Sequence, residues 1–165
     1  RGIQNAYGVE FNISNDITEW WNTNLNFNLY SATITGNESV YNLNSEFFSW
    51  NTRFSSKMNY SGYNFQITGN YRAPEDTPQG ETLSMWWLDF GLSTDILDNN
   101  ATLTLSGQDV FSTRLRRSIV NGETFYRESD YQWRAGQVTL TFNYRINQAK
   151  KRERSAFDGD SGDME

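Results

Sequence analysis

Between Gln137 and Ile146 the chain reads Gln-Val-Thr-Leu-Thr-Phe-Asn-Tyr-Arg-Ile, with apolar and polar residues in alternation. Side chains of an extended backbone point alternately to opposite faces, so a period of two specifies a β-strand with one apolar and one polar face. The alternation gives way to Lys150-Lys151-Arg152-Glu153-Arg154. Such a strand separates two media. One is water; the other is either a protein core or the acyl chains of a bilayer.

The same period recurs along the chain, and about seven strands can be read from it. Tyr7–Ser14 places Tyr7, Val9, Phe11 and Ile13 on one face, and Asn15-Asp16 follows as a turn. From about Glu19 to Thr33, Leu25, Phe27 and Leu29 oppose Asn22, Asn24, Asn26 and Asn28. Four amides in alternate positions would each need partners in a dry core, so they suit a wet face. The third strand, about Glu46–Met58, sets Phe48, Trp50 and Phe54 against Arg53 and Lys57. After Tyr60-Ser61-Gly62, a fourth carries Phe65, Ile67 and Tyr71. Trp86, Leu88, Phe90 and Leu92 mark a fifth, opposed by Trp87 and Asp89. Leu97-Asp98-Asn99-Asn100 turns it into a sixth with Leu103 and Leu105, and Gln137–Ile146 is the last.

Two regularities narrow the class. Connections after Ser14, Met58 and Ile96 read as short, whereas those after Thr33, Arg72 and Phe111 read as long. The strands also exceed the soluble norm of about 5–6 residues. Long strands joined alternately by short turns and long loops describe an antiparallel transmembrane β-barrel. A soluble β-sandwich, such as a carbohydrate-binding module with exposed aromatics, shares the period of two. Its outward face would be rich in Lys and Glu, while the polar faces here are mostly Asn, Ser, Thr and Gln. Trp20, Trp21, Tyr60, Tyr63 and Tyr144 gather near the short turns. Tyr30, Tyr71, Trp86 and Trp87 gather near the long loops, as two interfacial belts would.

Composition removes other classes. No apolar run approaches the roughly 18 residues of a membrane-spanning helix. Aromatics at 16% argue against disorder. The chain has no Cys and no His, which excludes disulfides, the usual zinc sites and His-based triads. A net charge of −6 argues against nucleic-acid binding. Glu10, Asp89, Asp95 and Asp109 are scattered carboxylates whose spacing proposes no acid/base pair, so no catalytic, cofactor or metal residues are assigned. Asp89 and Asp109 read as lumen or rim charges, with Arg53, Lys57, Arg72 and Arg145 as candidate neutralising partners. Arg114-Leu115-Arg116-Arg117 is a basic cluster in an expected extracellular loop; it reads first as a solvated loop end, with anionic lipopolysaccharide or a partner protein as the alternative. Four Asn-x-Ser/Thr matches, at Asn12, Asn37, Asn59 and Asn100, read as coincidence in an Asn-rich chain.

A spaced series of motifs adds a resemblance. Tyr71-Arg72-Ala73-Pro74 with Thr77-Pro78-Gln79-Gly80, then Trp87-Leu88-Asp89-Phe90-Gly91, Gln108-Asp109-Val110-Phe111-Ser112-Thr113-Arg114 and Val138–Arg145 resemble the C-terminal end of an outer-membrane β-barrel family. That family is related to TonB-dependent receptors of Bacteroidetes-type Gram-negative bacteria. The resemblance covers about residues 45–165. It implies a barrel of about 22 strands around a plug. It also implies a receptor or transporter coupled to a TonB-type inner-membrane motor, and a surface lipoprotein as a further partner.

The resulting expectation is specific. Residues 1–147 form the C-terminal strands of a transmembrane barrel, and 148–165 form a charged periplasmic tail. Asn22, Asn24, Asn26, Asn28, Arg53, Lys57, Asp89, Asp109 and Arg145 face the lumen. Arg114, Arg116 and Arg117 lie in an extracellular loop, and loops 34–45, 73–84 and 112–131 set specificity. About seven strands would leave two edges, at Tyr7–Ser14 and Gln137–Ile146. In hydrocarbon those edges must pair with further strands, from the same polypeptide (Arg1 opens abruptly into strand-like sequence) or another chain. The expected neighbours are outer-membrane lipid, the remaining strands and a plug, with no nucleic acid. Uptake of a large substrate is the leading function. A barrel that scaffolds an outer-membrane complex and the soluble sugar-binding sandwich are the rivals.

Overall fold

The computed structural model describes residues 2–38, 41–42, 45–122 and 124–146. The tail, with Lys150–Arg154, lies outside the described residues. The elements are β1 (Gly2–Thr18), β2 (Trp21–Glu38), β3 (Tyr41–Asn42), β4 (Ser45–Tyr60), β5 (Tyr63–Arg72), β6 (Glu75–Thr77), β7 (Gly80–Thr82), β8 (Met85–Ile96), β9 (Ala101–Gln108), β10 (Arg116–Asn121), β11 (Tyr126–Tyr131) and β12 (Gln137–Tyr144).

The main sheet runs β1-β2-β4-β5-β8-β9-β12, every neighbouring pair antiparallel, with β3 pairing β2 beside this path. These seven strands are the ones the alternation predicts. β1 and β12 are the two edges and do not pair with each other among the described residues.

Register carries the alternation from strand to strand; the one shift in the main sheet among the described residues falls between Asp16 and Thr18, beside the first turn. Ile13, Leu25, Phe54, Gly69 and Leu88 lie in one row across five strands, and Leu92, Leu105 and Leu140 in another. One residue away, on the opposite face, run Ser14, Asn24, Ser55, Thr68 and Asp89, and then Ser93, Thr104 and Thr141. Among the described residues no second layer covers the apolar face: Leu140 is 66% exposed, Phe142 56%, Phe11 52% and Ile13 57%. The buried apolar side chains among the described residues are Ala32, Phe47, Ala73 and Ala101. A sandwich would bury the Leu and Phe rows between two sheets; here they are the outside of a single wall.

Aromatic rings rim that face at two heights. Phe27 meets Trp50 at 5.5 Å between centroids, Trp50 meets Tyr71 at 4.7 Å, Tyr71 pairs with Trp86 in register, and Trp86 meets Phe111 at 5.8 Å. At the short turns Trp20 contacts Trp21 at 6.2 Å and Tyr60 at 5.4 Å. Trp50 and Tyr60 are ten residues apart on β4. At about 3.3 Å per residue and a tilt near 40° that is about 25 Å along the normal. This matches the height of an outer-membrane barrel's apolar band. Two of the expected belt residues sit elsewhere. Tyr30 and Trp87 are on the polar face, because each is an odd number of residues from the apolar row of its own strand.

Several sequence expectations are corrected. The first turn is Glu19-Trp20, not Asn15-Asp16, which remain in the ladder opposite Thr23 and Asn22. Turn-prone residues yielded to a pairing that extends the hairpin at both ends. The stretch 34–45 is not a long open loop. β2 continues to Glu38, and Asn37 and Glu38 pair with Asn42 and Tyr41 of β3. The loops 73–84 and 112–131 are not irregular either. They supply β6, β7, β10 and β11, a second sheet of order β11-β10-β7-β6. Pro74 and Pro78 fall outside the strands, where their missing N–H costs no ladder bond.

This second sheet is tied to the polar side of the wall at the long-loop rim. The Ala73 N–H donates to the Trp50 carbonyl at 2.9 Å, β6 packs on β4, and the Tyr30 hydroxyl donates to Glu75. At the same rim Ala32, Phe47 and Ser49 are buried on the polar face.

Candidate functional site

The polar face is built mainly from amides and hydroxyls that bond one another. Asn24 Nδ2 donates to Ser14 Oγ at 2.8 Å, Asn26 Nδ2 to Asn12 Oδ1 at 2.7 Å and Glu10 Oε1 at 2.8 Å, and Asn28 Nδ2 to Asn26 Oδ1 at 2.9 Å. Asn22, Asn24, Asn26 and Asn28 share one face, and Asn24, Asn26 and Asn28 form a hydrogen-bonded ladder that crosses to β1 and β4.

The most structured part of this face lies where three of the quoted sequence motifs meet. Asp89, on β8, accepts the Asp109 N–H at 2.8 Å. Asp109 is buried and takes a left-handed backbone, φ 47°, at the start of the turn after β9. Its carboxylate accepts the Thr113 N–H at 2.9 Å and the Arg114 N–H at 3.1 and 3.2 Å. Within the same turn the Ser112 N–H donates to the Asp109 carbonyl at 2.7 Å. Ser112 then clips a strap, Gln132–Gly136. Gln132 Nε2 donates to the Ser112 carbonyl at 3.4 Å, and the Gly136 N–H donates to Ser112 Oγ at 3.2 Å. Gly136 has to be glycine, since a Cβ there would collide with the Asp109 carbonyl. A chain of hydrogen bonds thus runs from the wall, through Asp89 and Asp109, to a strap leading into β12.

Wall and strap flank a half-open cavity of about 740 Å³. Arg53, Gln66, Thr68, Asp89, Ser106 and Gln108 line its wall side, Asp109 and Arg114 its rim, and Trp133, Arg134 and Ala135 its strap side. The Arg114 guanidinium lies over the Trp87 ring, 4.7 Å from its centroid, which fixes the guanidinium plane at the rim. Trp133 is 80% exposed, with Tyr131 edge-on at 6.3 Å.

The predicted residues divide accordingly. Arg53, Asp89, Asp109 and Arg114 come together at the cavity. Lys57 shares the polar face but lines a separate pocket of about 150 Å³ with Asn64, Gln66 and Ser93. Arg145 lies at the short-turn end, 3.5 Å from Asp95 and 2.9 Å from Thr102 Oγ1. Both charges of that ion pair are nearly half exposed, so it is worth about 0.2–1 kcal/mol. Arg116 and Arg117 lie on β10, apart from the cavity. The expected neutralisation of Asp89 and Asp109 by arginine is corrected. Neither carboxylate forms a salt bridge among the described residues; Asp109 accepts the N–H groups of Thr113 and Arg114 in its own turn, and Asp89, in the middle of β8, accepts the Asp109 N–H. Sequence reading missed Trp133 and Arg134, whose only signal was a Trp-Arg pair in a polar stretch before the last strand.

Asp109→Ala should remove four acceptor contacts, three from backbone N–H groups and one from the Thr113 hydroxyl, at a buried position and cost about 1–3 kcal/mol. The local readout is trypsin cleavage after Arg114, Arg116 and Arg117 in the folded protein, which should accelerate. Asp109→Asn keeps one acceptor oxygen and should fall between.

A single antiparallel wall with an uncovered apolar face, rimmed by aromatic girdles, and an opposite face of bonded amides defines a transmembrane β-barrel protein. The chain belongs to the outer membrane protein beta-barrel family, whose model matches residues 2–144. It resides in the outer membrane of a Gram-negative bacterium. Comparison with curated proteins and with solved structures finds no match.

Proposed function

We propose that the chain is part of the wall of a TonB-dependent-receptor-like barrel that takes up a substrate too large for porins. The observation that carries this reading is the open seven-stranded path with a cavity-bearing polar face. Unpaired edges of β1 and β12 in hydrocarbon would leave backbone groups unsatisfied, at several kcal/mol each. Further strands, of the same polypeptide, are the natural partners, and a barrel of about 22 strands is wide enough to need a plug. Residues 1–147 are then the wall and 148–165 a periplasmic tail. The apolar rows meet lipid, and the polar rows, including Asn22–Asn28, Arg53, Lys57, Asp89, Asp109 and Arg145, meet the lumen. A TonB-type motor and a surface lipoprotein are the proposed partners, and no catalytic role is assigned.

The test is uptake by whole cells with and without the intact gene, with the proton-motive force on and then dissipated. Loss of accumulation of a large labelled solute in both the deletion and the de-energised cells is expected. Unchanged uptake in the deletion strain would overturn the reading. One observation favours the scaffold as a second reading: β11 exposes Tyr126 and Tyr131, and Phe125 just before it is exposed beside them. A barrel that transports nothing, but leaves the membrane in detergent bound to a partner through that sheet, would be the scaffold's signature.

A further inference from the structure

We infer that the cavity under the Gln132–Gly136 strap binds an anionic saccharide, an acidic sugar whose acid group is a carboxylate or a phosphate. This deepens the lumen-wall reading of the same face but does not rest on transport.

Three features of the lining select that chemistry together. The first is charge. Three guanidinium groups, Arg53, Arg114 and Arg134, line the cavity against two carboxylates, Asp89 and Asp109, in a chain whose net charge is −6. The carboxylates already accept backbone N–H groups, three contacts at Asp109 and one at Asp89. Among the described residues none of the three arginines makes a salt bridge. Guanidinium groups present forked donors that match carboxylate and phosphate oxygens. The second feature is an exposed platform: Trp133, 80% exposed, borders the cavity, steadied by Tyr131. A pyranose offers such a ring a flat face of C–H groups, the positive edge that an aromatic face prefers. The third is the remainder of the lining. Gln66, Thr68, Ser106 and Gln108 are amides and hydroxyls, each able to donate and to accept, which suits a ligand bearing many hydroxyls. Gln66 Nε2 donates to Thr68 Oγ1 at 3.4 Å and Gln108 Oε1 accepts from Gln137 Nε2 at 3.3 Å; the capacity left over on these amides and hydroxyls matches a ligand with many hydroxyls better than a simple aromatic acid.

Room is kept open by Gly91, where a Cβ would meet nothing within 4 Å. Gly91 borders the cavity, so a large side chain built on that open Cβ position is expected to fill space the ligand needs.

The experiment is titration of the full-length protein in detergent with a uronate-containing disaccharide, a sugar phosphate, the neutral disaccharide and a nucleoside monophosphate, followed by Trp fluorescence and calorimetry. At least one of the two acidic sugars should bind at least about tenfold more tightly than the neutral one, a difference of about 1.4 kcal/mol, and binding should weaken with added salt. The acid that binds more tightly identifies the group recognised. Trp133→Ala and Arg134→Ala should each weaken binding about tenfold or more, and Arg134→Lys by less. Gly91→Phe should abolish it while leaving the heat resistance of the folded barrel unchanged. Equal affinity for neutral and acidic sugars, tighter binding of the nucleotide, no binding of either acidic sugar at millimolar concentration, or variants that bind like the wild type would each overturn the inference. Tight binding of an acidic sugar without loss of uptake in the deletion strain would leave it standing and remove transport alone.

Discussion

Leu105→Arg is expected to destabilise the folded wall by about 2–4 kcal/mol, the cost of an arginine on the lipid face near the bilayer midplane. Leu105 sits on β9 between Leu92 of β8 and Leu140 of β12, all on the apolar face. It lies four residues from Ala101 at the short-turn end, about 10 Å along the normal at the tilt used above. That depth is too great for the guanidinium to reach the headgroups without distorting the wall or thinning the bilayer. Thr104→Arg, one position earlier, carries the same charge to the opposite face between Ser93 and Thr141. There water or polar partners solvate it, and the change should stay within about 1 kcal/mol. Urea unfolding in lipid vesicles, followed by the shift of the folded band on unboiled gels, measures both. Equal costs at 104 and 105 would mean that the two faces meet the same medium.

The second large effect is on the ladder itself. Ile67 is in the middle of β5, opposite Ser56 of β4 and Phe90 of β8. Ile67→Pro removes one ladder N–H and leaves a neighbouring carbonyl without its donor, in a strand with partners on both sides. In water such a carbonyl would find solvent. In hydrocarbon it finds none, at several kcal/mol for each unsatisfied group. Failure to reach the heat-resistant folded form is expected, whereas Ile67→Val should fold with a loss below about 1.5 kcal/mol. A proline variant that folds normally would place β5 at a solvated edge, contrary to its two pairings.

The wall was legible because lipid and lumen impose a strict alternation on every strand, and register repeats it across the sheet. Leu103, Leu105, Leu140 and Phe142 could be assigned to one face from spacing alone. The rim sheet was not legible for the opposite reason. β6 and β7 have three residues each, and β10 and β11 have six. They are polar and partly exposed, so no periodic burial marks them. The hairpin end at Glu19-Trp20 was hidden by Asn15-Asp16, good turn residues held extended by pairing with Thr23 and Asn22. At the cavity the separate motifs could be read, but not their meeting. Asp89 and Asp109 are twenty residues apart, and only the pairing of β8 with β9 brings the Asp109 N–H to the Asp89 carboxylate. Trp133 and Arg134 join them through the Ser112 clip, a contact that no spacing rule encodes.

The central claim is that acyl chains wet one face and water the other. It is tested most directly by single cysteines labelled with an environment-sensitive fluorophore at Leu103, Thr104, Leu105, Leu140, Thr141 and Phe142 in bilayers. The chain has no cysteine of its own to compete. Brominated acyl chains should quench the label at 103, 105, 140 and 142, and aqueous iodide should quench it at 104 and 141, alternating residue by residue. Iodide quenching at all six positions, or bromine quenching that fails to alternate, would contradict a barrel wall.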